Sequence, residues 1–444
     1  MAERFDTDEI ARLMEESRVN TRAMFDLVRE EHDLRRSPAD GYRPILWHLG
    51  HVGAFEAYWI LQRVKGDATL SPRYDAIFDP IKTPREDSTN LPPIPEIEAY
   101  LARVRADTLD FLATGRSHEA DPLLRDGYVF NMVIEHEYQH QETLCYLLHL
   151  LDPALKRKDE RGTRNAESDS DSDSSSFIVP RSSFSDMVRI AGGSFEMGSR
   201  GYPFAYDNEQ PPHRVELADF RMDRYPVTNA AYAEFIAAGG YRTRSLWSEA
   251  GWEWKEKNQI EQPLYWSSAG DKQWRETGMF DEVSLRPDHP VNGVSWHEAC
   301  AYAQFVGKRL PTEAEWEKAA SWDAQNATKR RFSWGNQARR DVANYDFANW
   351  GTTPVTAYPA GASAYGCFDM TGNVWEWTAT TFDAYPGFAA YPYPEYSELW
   401  FDGDHRILKG GSWATGLPLL RCSFRNFWRP GFRIAFSGFR CAAD

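Results

Sequence analysis

Residues 134–144 read IEHEYQHQETL, and this stretch decides how the N-terminal third of the chain folds. It lies inside RDGYVFNMVIEHEYQHQETLCYLLHLL (125–151), where apolar residues recur at helical spacing. His136 and His140 stand four apart and share one helix face. Three other segments carry the same period: DEIARLMEESRVNTRAMFDLVREEH (8–32), RPILWHLGHVGAFEAYWILQRV (43–64), entered after Pro44, and IPEIEAYLARVRADTLDFLATG (94–115). Four amphipathic segments joined by loops predict a four-helix bundle over 1–155. Its fourth helix then turns two imidazoles inward. The loop from about 67 to 93 exceeds what a bundle connection needs, and long loops are often functional.

Beyond the bundle the texture changes. KRKDERGTRNAESDSDSDSSS (156–176) is charged and Ser-rich, and cannot bury enough apolar surface to offset chain entropy. It predicts a disordered linker over 156–184. It lacks the Gly and terminal Glu of an EF-hand loop, so its aspartates do not spell a calcium site. Residues 185–444 are rich in Trp, Gly and turns. Clear helices are few there: NAAYAEFIAAGG, SWHEACAYAQFVG and TEAEWEKAA; HRVELADFRMD (213–223) reads as strand. This predicts an irregular α+β domain, and the chain as a whole is multidomain, α followed by α+β. With 444 residues, 42% hydrophobic and a net charge of −16, the chain can build real cores and has no basic run to meet a nucleic acid. It has no stretch of membrane-spanning length and no export signal at its start. Five scattered cysteines without CxxC spacing predict reduced thiols and a cytoplasmic location.

The second helix carries His48 and His51 in LWHLGHVG. Histidines from two facing helices are a known way to build a metal site in a bundle. Two readings of the metal are open. HEYQH matches the zinc motif HExxH, with Glu137 as base of a hydrolase. Ferrous iron accepts a facial set of three ligands and leaves open positions for oxygen and substrate. Either His48 or His51 can supply the third ligand. His32 and His149 are expected to face solvent or the bundle end.

Six pieces of the second domain carry a resemblance: IAGGSFEMGS (190–199), RMDRYPVTNAAYAEF (221–235), HPVNGVSWHEACAYAQFVGKRLPTEAEWEKAA (289–320), CFDMTGNVWEWT (367–378), LKGGSWA (408–414) and SGFRCA (437–442). In this order they resemble the formylglycine-generating-enzyme (sulfatase-modifying factor) fold, a C-type-lectin-like α+β domain. Coupled to a DinB-like bundle with WHLGH and HEYQH, the chain resembles the ergothioneine sulfoxide synthases and the related selenoneine synthases. True formylglycine-generating enzymes hold copper with a close Cys pair near GGSW; here only Cys422 lies there.

The resemblance implies an iron(II) held by His51, His136 and His140, with His48 outside the ligand set. It implies an oxygen-dependent oxidoreductase that forms a carbon–sulfur or carbon–selenium bond at the imidazole C2 of hercynine, with O2 as co-substrate and a thiol or selenol donor. Gln139 and Asn426 match hercynine contacts. Trp413, Phe427 or Trp428 would offer an aromatic face to the trimethylammonium. Tyr393 in YPYPEYS matches the tyrosine that donates a proton or hydrogen atom, with Tyr396 as its competitor. Lys82 and Arg85 lie where the family places donor-binding arginines, and Phe55 stands where relatives have Gln. Mycobacterial-type synthases read RNWD and take γ-glutamylcysteine; this chain reads RNFWRP (425–430). The loss of that carboxylate and the added rings lean the reading toward selenoneine synthesis from a selenosugar, with an ergothioneine sulfoxide synthase using cysteine or γ-glutamylcysteine as the alternative. The fold permits a structural calcium near TGNVWEW. A non-enzymatic binding module is a further reading, because lectin-like folds can simply bind ligands.

Overall fold

A computed structural model describes residues 6–39, 41–85, 88, 90–114, 121–158, 186–201, 204–270 and 273–444. The chain divides into two compact units, Met1–Asp159 and Glu160–Asp444. Most of the expected linker lies outside the described residues. Its first residues do not: Lys156 is buried, its ammonium donates to the Leu148 carbonyl at 2.7 Å, and the Arg157 amide bonds the Leu27 carbonyl at 2.7 Å. The bundle therefore extends past the point where composition ends it, because a lysine closes the last turn of its final helix.

The N-terminal unit is built on α1 (Thr7–Phe25), α3 (Ile45–Glu56), α5 (Ile94–Ala113) and α6 (Tyr128–Leu150). Short helices α2 (Glu31–Leu34) and α4 (Pro72–Ile77) lie in the connections. Asp6 starts α1 by accepting from the amides of Asp8 and Glu9 at 3.0 and 3.1 Å. Pro44 is the N-cap of α3, its ring fixing its own φ at −54° while its ψ of 145° lies outside the helix. After Glu56 the helix widens into a π-helix, Ala57–Lys65, which Gly66 ends in the left-handed conformation.

The polar crowding of α6 resolves into two stripes about 100° apart. His136 and His140 meet α3. Glu137 and Gln141 meet α1: the Gln141 amide donates to the Ser17 carbonyl at 2.8 Å and to Thr21 Oγ1 at 3.1 Å. Glu137 joins Arg18, Glu56 and Arg105 in a buried set with one member on each main helix.

The C-terminal unit has short strands and long connections. Strands β1 (Met187–Ile190), β4 (Phe220–Asp223) and β14 (Ala442–Ala443) form one antiparallel sheet, in the order β1-β4-β14. β12 (Asn426–Trp428), β11 (Arg406–Lys409), β10 (Trp375–Thr381) and β13 (Ser437–Gly438) form a second, with β13 parallel to β10. The expected strand over 213–223 is two strands: β3 (His213–Leu217), which pairs with β2 (Gly193–Met197), and β4. Ala218 and Asp219 break it, and Asp219 turns back to accept from the Gly192 amide at 2.7 Å. Helices α7 (Asn229–Ala237), α9 (Trp296–Phe305) and α10 (Glu313–Ser321) fall on the three expected segments. A further helix, α8 (Glu249–Lys257), begins at the Ser248 cap and is not evident in the sequence because five of its nine residues are charged and few apolar positions are left to show a period. Ser295 and Thr312 open α9 and α10 with reciprocal capping boxes to Glu298 and Glu315.

Trp316, Ile190, Phe220, Met222, Met370 and the thiols of Cys367 and Cys422 share one apolar cluster. Buried charges sit beside it. Arg440 grips Glu376 with Nε–Oε2 and Nη2–Oε1 both at 2.7 Å, and Trp316 Nε1 donates to the same carboxylate at 2.7 Å. Burial pushes the Glu317 carboxyl up, but Lys329 and Lys409 outweigh it and hold it near 2, below its ordinary 4.5. That lowering is stability present above the ordinary carboxylate pKa and lost as pH falls toward 2. Lys409 Nζ lies 3.0 Å from Glu317 Oε2. Replacing Lys409 by Met is expected to raise the Glu317 pKa and move acid unfolding to higher pH, as followed by tryptophan fluorescence across an acid titration; an unchanged acid midpoint would refute the coupling.

Candidate metal centre

Three imidazoles converge in the N-terminal unit. One ring nitrogen from each of His51, His136 and His140 lies within 4.8 Å of the other two. His51 Nε2 and His136 Nε2 are 3.3 Å apart. Ligand nitrogens about 2.0–2.1 Å from one ion sit about 3 Å from each other, so this donor set fits a transition metal. His48 is not a member of the three. Its Nδ1 meets His140 Nδ1 at 2.9 Å, which leaves His140 Nε2 to the centre. Of the two histidines of α3, it is His51 whose ring nitrogen converges with those of His136 and His140.

Each ring is held by its surroundings. His51 Nδ1 donates to the Phe78 carbonyl at 2.7 Å, which fixes the tautomer and frees Nε2 as a donor. Trp47 stacks on His51 at 4.4 Å and 16°, and Phe55 stacks on His136 at 3.6 Å and 8°. Arg43 lies 4.4 Å over the Trp47 ring and donates to the loop carbonyls of Pro80 and Thr83 at 3.1 and 2.7 Å. Burial lowers His48 to about 3 and His51 to about 4, and takes His136 and His140 well below their ordinary value. All four therefore stay neutral at physiological pH, the form in which imidazole binds metal.

The long loop serves the site through its backbone. Phe78, at the end of α4, reaches His51 because Gly50 leaves room: a Cβ at Gly50 would stand 2.1 Å from Phe78 Cζ. The glycine of WHLGH is thus a close-approach glycine. Nothing in its residue type marks Phe78 as important, since its contribution is a carbonyl.

Glu137, the base that a zinc hydrolase would need, is committed elsewhere. Its Oε1 accepts from Arg18 Nε at 2.8 Å and Thr21 Oγ1 at 2.9 Å, and its Oε2 accepts from Arg105 Nη2 and Ser17 Oγ, both at 3.2 Å. It points into the α1–α5 side of the bundle, a quarter turn from the imidazoles. HEYQH matches the zinc motif in letters and not in geometry.

The remaining residues divide. Gln139 is half-buried on α6 between the two ligand positions. Phe55 faces the His136 ring, so its place is beside the centre. Lys82 pairs with Asp79 at 2.9 Å with its side chain 70% exposed, and Arg85 donates to the Gly41 carbonyl at 2.7 Å; both are engaged at the surface of their own loop. His32 is exposed, and His149 is buried in the last turn of α6, at the end of the bundle. Trp413 is not an aromatic face for a ligand: it is fully buried, packed on Phe436 at 4.5 Å and near Trp350 and Phe347. Phe427 stacks on Phe382 and Trp428 on Phe432, each at 3.9 Å. Asn426 is half-buried on β12, its Oδ1 accepting from the Phe427 amide at 2.9 Å. Tyr396 stacks on Tyr206 at 4.2 Å, and Tyr393 meets Tyr396 edge-on at 6.2 Å. Burial pushes the Tyr393 phenol well above its ordinary value.

One buried turn, which the sequence reading passed over, holds the Tyr393 and Asn426 segments together. Asp207 accepts from the Tyr391 amide at 3.1 Å, and the Asn208 amide donates to Ser397 Oγ at 3.1 Å. Glu209 accepts from Arg421 Nε and Ser423 Oγ, both at 2.8 Å, and Arg425 donates to the Asn208 carbonyl at 2.7 Å. Cys422 lies one residue from this grip, in the apolar cluster, where burial pushes its thiol up to about 12; that is no environment for a copper thiolate.

Two family models match the chain: the sulfatase-modifying factor enzyme 1-like domain over residues 174–444, and the DinB superfamily over residues 13–144. The chain is 38% identical over 427 residues to hercynine oxygenase of Mycolicibacterium smegmatis, covering 94% of each protein. It is 38% identical over 413 residues to hercynine oxygenase of Mycobacterium tuberculosis, covering 90% of this chain and 91% of that one. Its similarity to the formylglycine-generating enzyme of Bos taurus, 34% over 288 residues, covers 58% of this chain and 74% of the bovine protein. Among the described residues, no helix is long and apolar enough to cross a membrane.

Replacing Gly50 by Ala is expected to displace Phe78, release His51 and weaken metal binding about 10–100-fold, the usual effect of losing a partner of a ligating histidine. Metal titration of the apoprotein checks this, with far-UV circular dichroism showing the helices intact; unchanged affinity would mean that the Phe78 carbonyl does not orient the ligand.

Proposed function

Because this chain belongs to the hercynine oxygenase family, a DinB bundle joined to a sulfatase-modifying-factor domain, we propose that it is an oxygen-dependent oxidoreductase that acts on hercynine and joins a sulfur donor to the imidazole C2. The observation that carries this reading is the convergence of His51, buried, with His136 and His140, half-buried, all three neutral, within a chain aligned nearly end to end with relatives of that name. Ferrous iron held by these three residues would supply the redox chemistry that activates dioxygen.

The protein's own contribution is to hold and orient. The stacked rings Trp47 and Phe55 shield two of the ligands from water. Gln139, on the helix that carries two ligands, is the proposed hydrogen-bond partner of the hercynine imidazole, and Asn426 its second polar contact. Holding the reactants together removes much of the entropic barrier to a reaction of several bodies. Tyr393 is the proposed proton donor: a phenol is protonated at neutral pH, and burial holds the proton more firmly until the transition state draws it. Tyr396, stacked on Tyr206, is the less suited of the pair.

The relatives favour sulfur over the selenium reading. That reading leaned on Phe427 and Trp428 as a sugar-stacking pair, yet each ring already has one face taken by another Phe. The hydrolase reading loses its base, since both oxygens of Glu137 are bonded to other side chains.

The deciding experiment loads the protein anaerobically with iron(II), supplies hercynine with cysteine, γ-glutamylcysteine or a selenosugar, admits oxygen and reads products by mass spectrometry. Oxygen uptake that needs both hercynine and a thiol is expected; stoichiometric zinc with peptidase activity would end the reading. His136→Ala is expected to abolish iron binding and turnover. Tyr393→Phe is expected to lower kcat about 10²–10⁴-fold, the range for loss of a general acid, with Tyr396→Phe within about tenfold of wild type; the reverse order would transfer the role to Tyr396.

A further inference from the structure

Two of the buried charges of the N-terminal unit share their helices with the three imidazoles, Glu56 with His51 and Glu137 with His136 and His140. Arg18 on α1, Glu56 on α3, Arg105 on α5 and Glu137 on α6 are each at most 7% exposed. Arg105 donates to Glu56 Oε1 at 3.0 Å and Oε2 at 2.9 Å in a two-point fork, and reaches Glu137 Oε2 at 3.2 Å. Arg18 spans the same two carboxylates, with Nη2 2.9 Å from Glu56 Oε2 and Nε 2.8 Å from Glu137 Oε1. Arg105 also donates to the Met14 carbonyl, which ties α5 to α1 by backbone as well. The set is neutral in sum, two cations and two anions, and every member bridges at least two other helices.

The two carboxylates occupy telling positions. Glu137 follows the ligand His136 by one residue. Glu56 follows Phe55, which stacks on His136, by one residue, and follows the ligand His51 by five. It stands where α3 passes into the π-helix, the point at which the helix changes its winding. A slide or rotation of α3 or α6 that moved the imidazoles apart would have to break bonds to both arginines at once, a two-point fork to one and a single bond to the other. Apolar packing tolerates small slides; a two-point guanidinium–carboxylate fork does not.

We propose that Arg18, Glu56, Arg105 and Glu137 are positioning residues of the metal centre, which lock the register of α3 against α6 so that His51 meets His136 and His140. The proposal rests on the metal-site reading above. Stability alone does not require such a set, because a complete buried ion network can often be replaced by apolar side chains of similar size without loss. The residue types are charged because the register must be single-valued.

The test uses the full-length apoprotein and Co(II), whose d–d absorption reports coordination geometry. Wild type is expected to bind one Co(II), and His136→Ala to lose it. The fourfold variant Arg18→Met, Glu56→Met, Arg105→Met, Glu137→Met leaves no uncompensated charge. It is expected to keep its helical circular dichroism and thermal midpoint while its Co(II) affinity falls about 10–100-fold and its d–d bands shift, the scale on which outer partners of metal ligands act. A folded fourfold variant with wild-type affinity and spectrum would overturn the proposal. Should that variant not fold, Arg105→Lys decides by the same titration, since it keeps the charge and loses the fork: weakened binding supports the positioning role and unchanged binding overturns it. Wild type that takes up no Co(II), or His136→Ala that still does, would bring down the metal reading itself, and the positioning role with it.

Discussion

Four charged side chains at the centre of the N-terminal bundle constrain everything built on it. Arg18, Glu56, Arg105 and Glu137 come from the four main helices and meet where water does not reach. Removing one partner from such a set leaves a buried charge unpaired, at about 3–5 kcal/mol, which is a large share of a domain's stability. Burial pushes the Glu56 carboxyl up, yet Arg105 and Arg18 more than compensate and hold it below its ordinary value. The helices therefore have one relative arrangement in which each of the four groups meets both opposite charges. The three histidines converge in that arrangement, and the stacked Trp47 and Phe55 and the Phe78 carbonyl complete their surroundings.

The C-terminal unit solves a different problem with the same chemistry. Its strands are short, so ladders of backbone hydrogen bonds cannot by themselves hold its long connections. Buried ion pairs replace them. Arg440 and Glu376 fasten the β10 and C-terminal segments, Arg421 with Glu209 fastens the turn at 206–209 to the segment before β12, and Arg425 with Glu313 fastens that segment to α10. Tyr385 adds its hydroxyl to Glu313 at 2.9 Å. Loops pinned by bidentate arginines hold their side chains in place nearly as well as regular elements do, which suits a unit whose proposed contacts, Tyr393 and Asn426, lie on a turn and a three-residue strand.

Helix periodicity in the sequence located α1, α3, α5, α6, α7, α9 and α10, because an amphipathic helix repeats its apolar residues locally and the repeat is visible without any partner. The i, i+4 histidines were legible for the same reason. Ordered motifs in the second half carried the fold family. The short, mostly charged α8 and the break inside residues 213–223 were not visible, since one has few apolar residues to repeat and the other depends on where β3 and β4 find partners.

Sequence by itself determined the two-part construction, the bundle and the inward face that carries His136 and His140. Only the tertiary structure decided that His51 and not His48 completes the three, that Glu137 belongs to an ion network and not to a hydrolase, and that Trp413 is core. It also revealed Phe78 and the arginines at 18 and 105, whose polar character at apolar positions of their helices was the one available hint. The physical reason is common to all of these. A residue type fixes what a side chain can bond to, whereas distant segments brought together by folding fix what it does bond to, and a helix face a quarter turn away leads to a different partner.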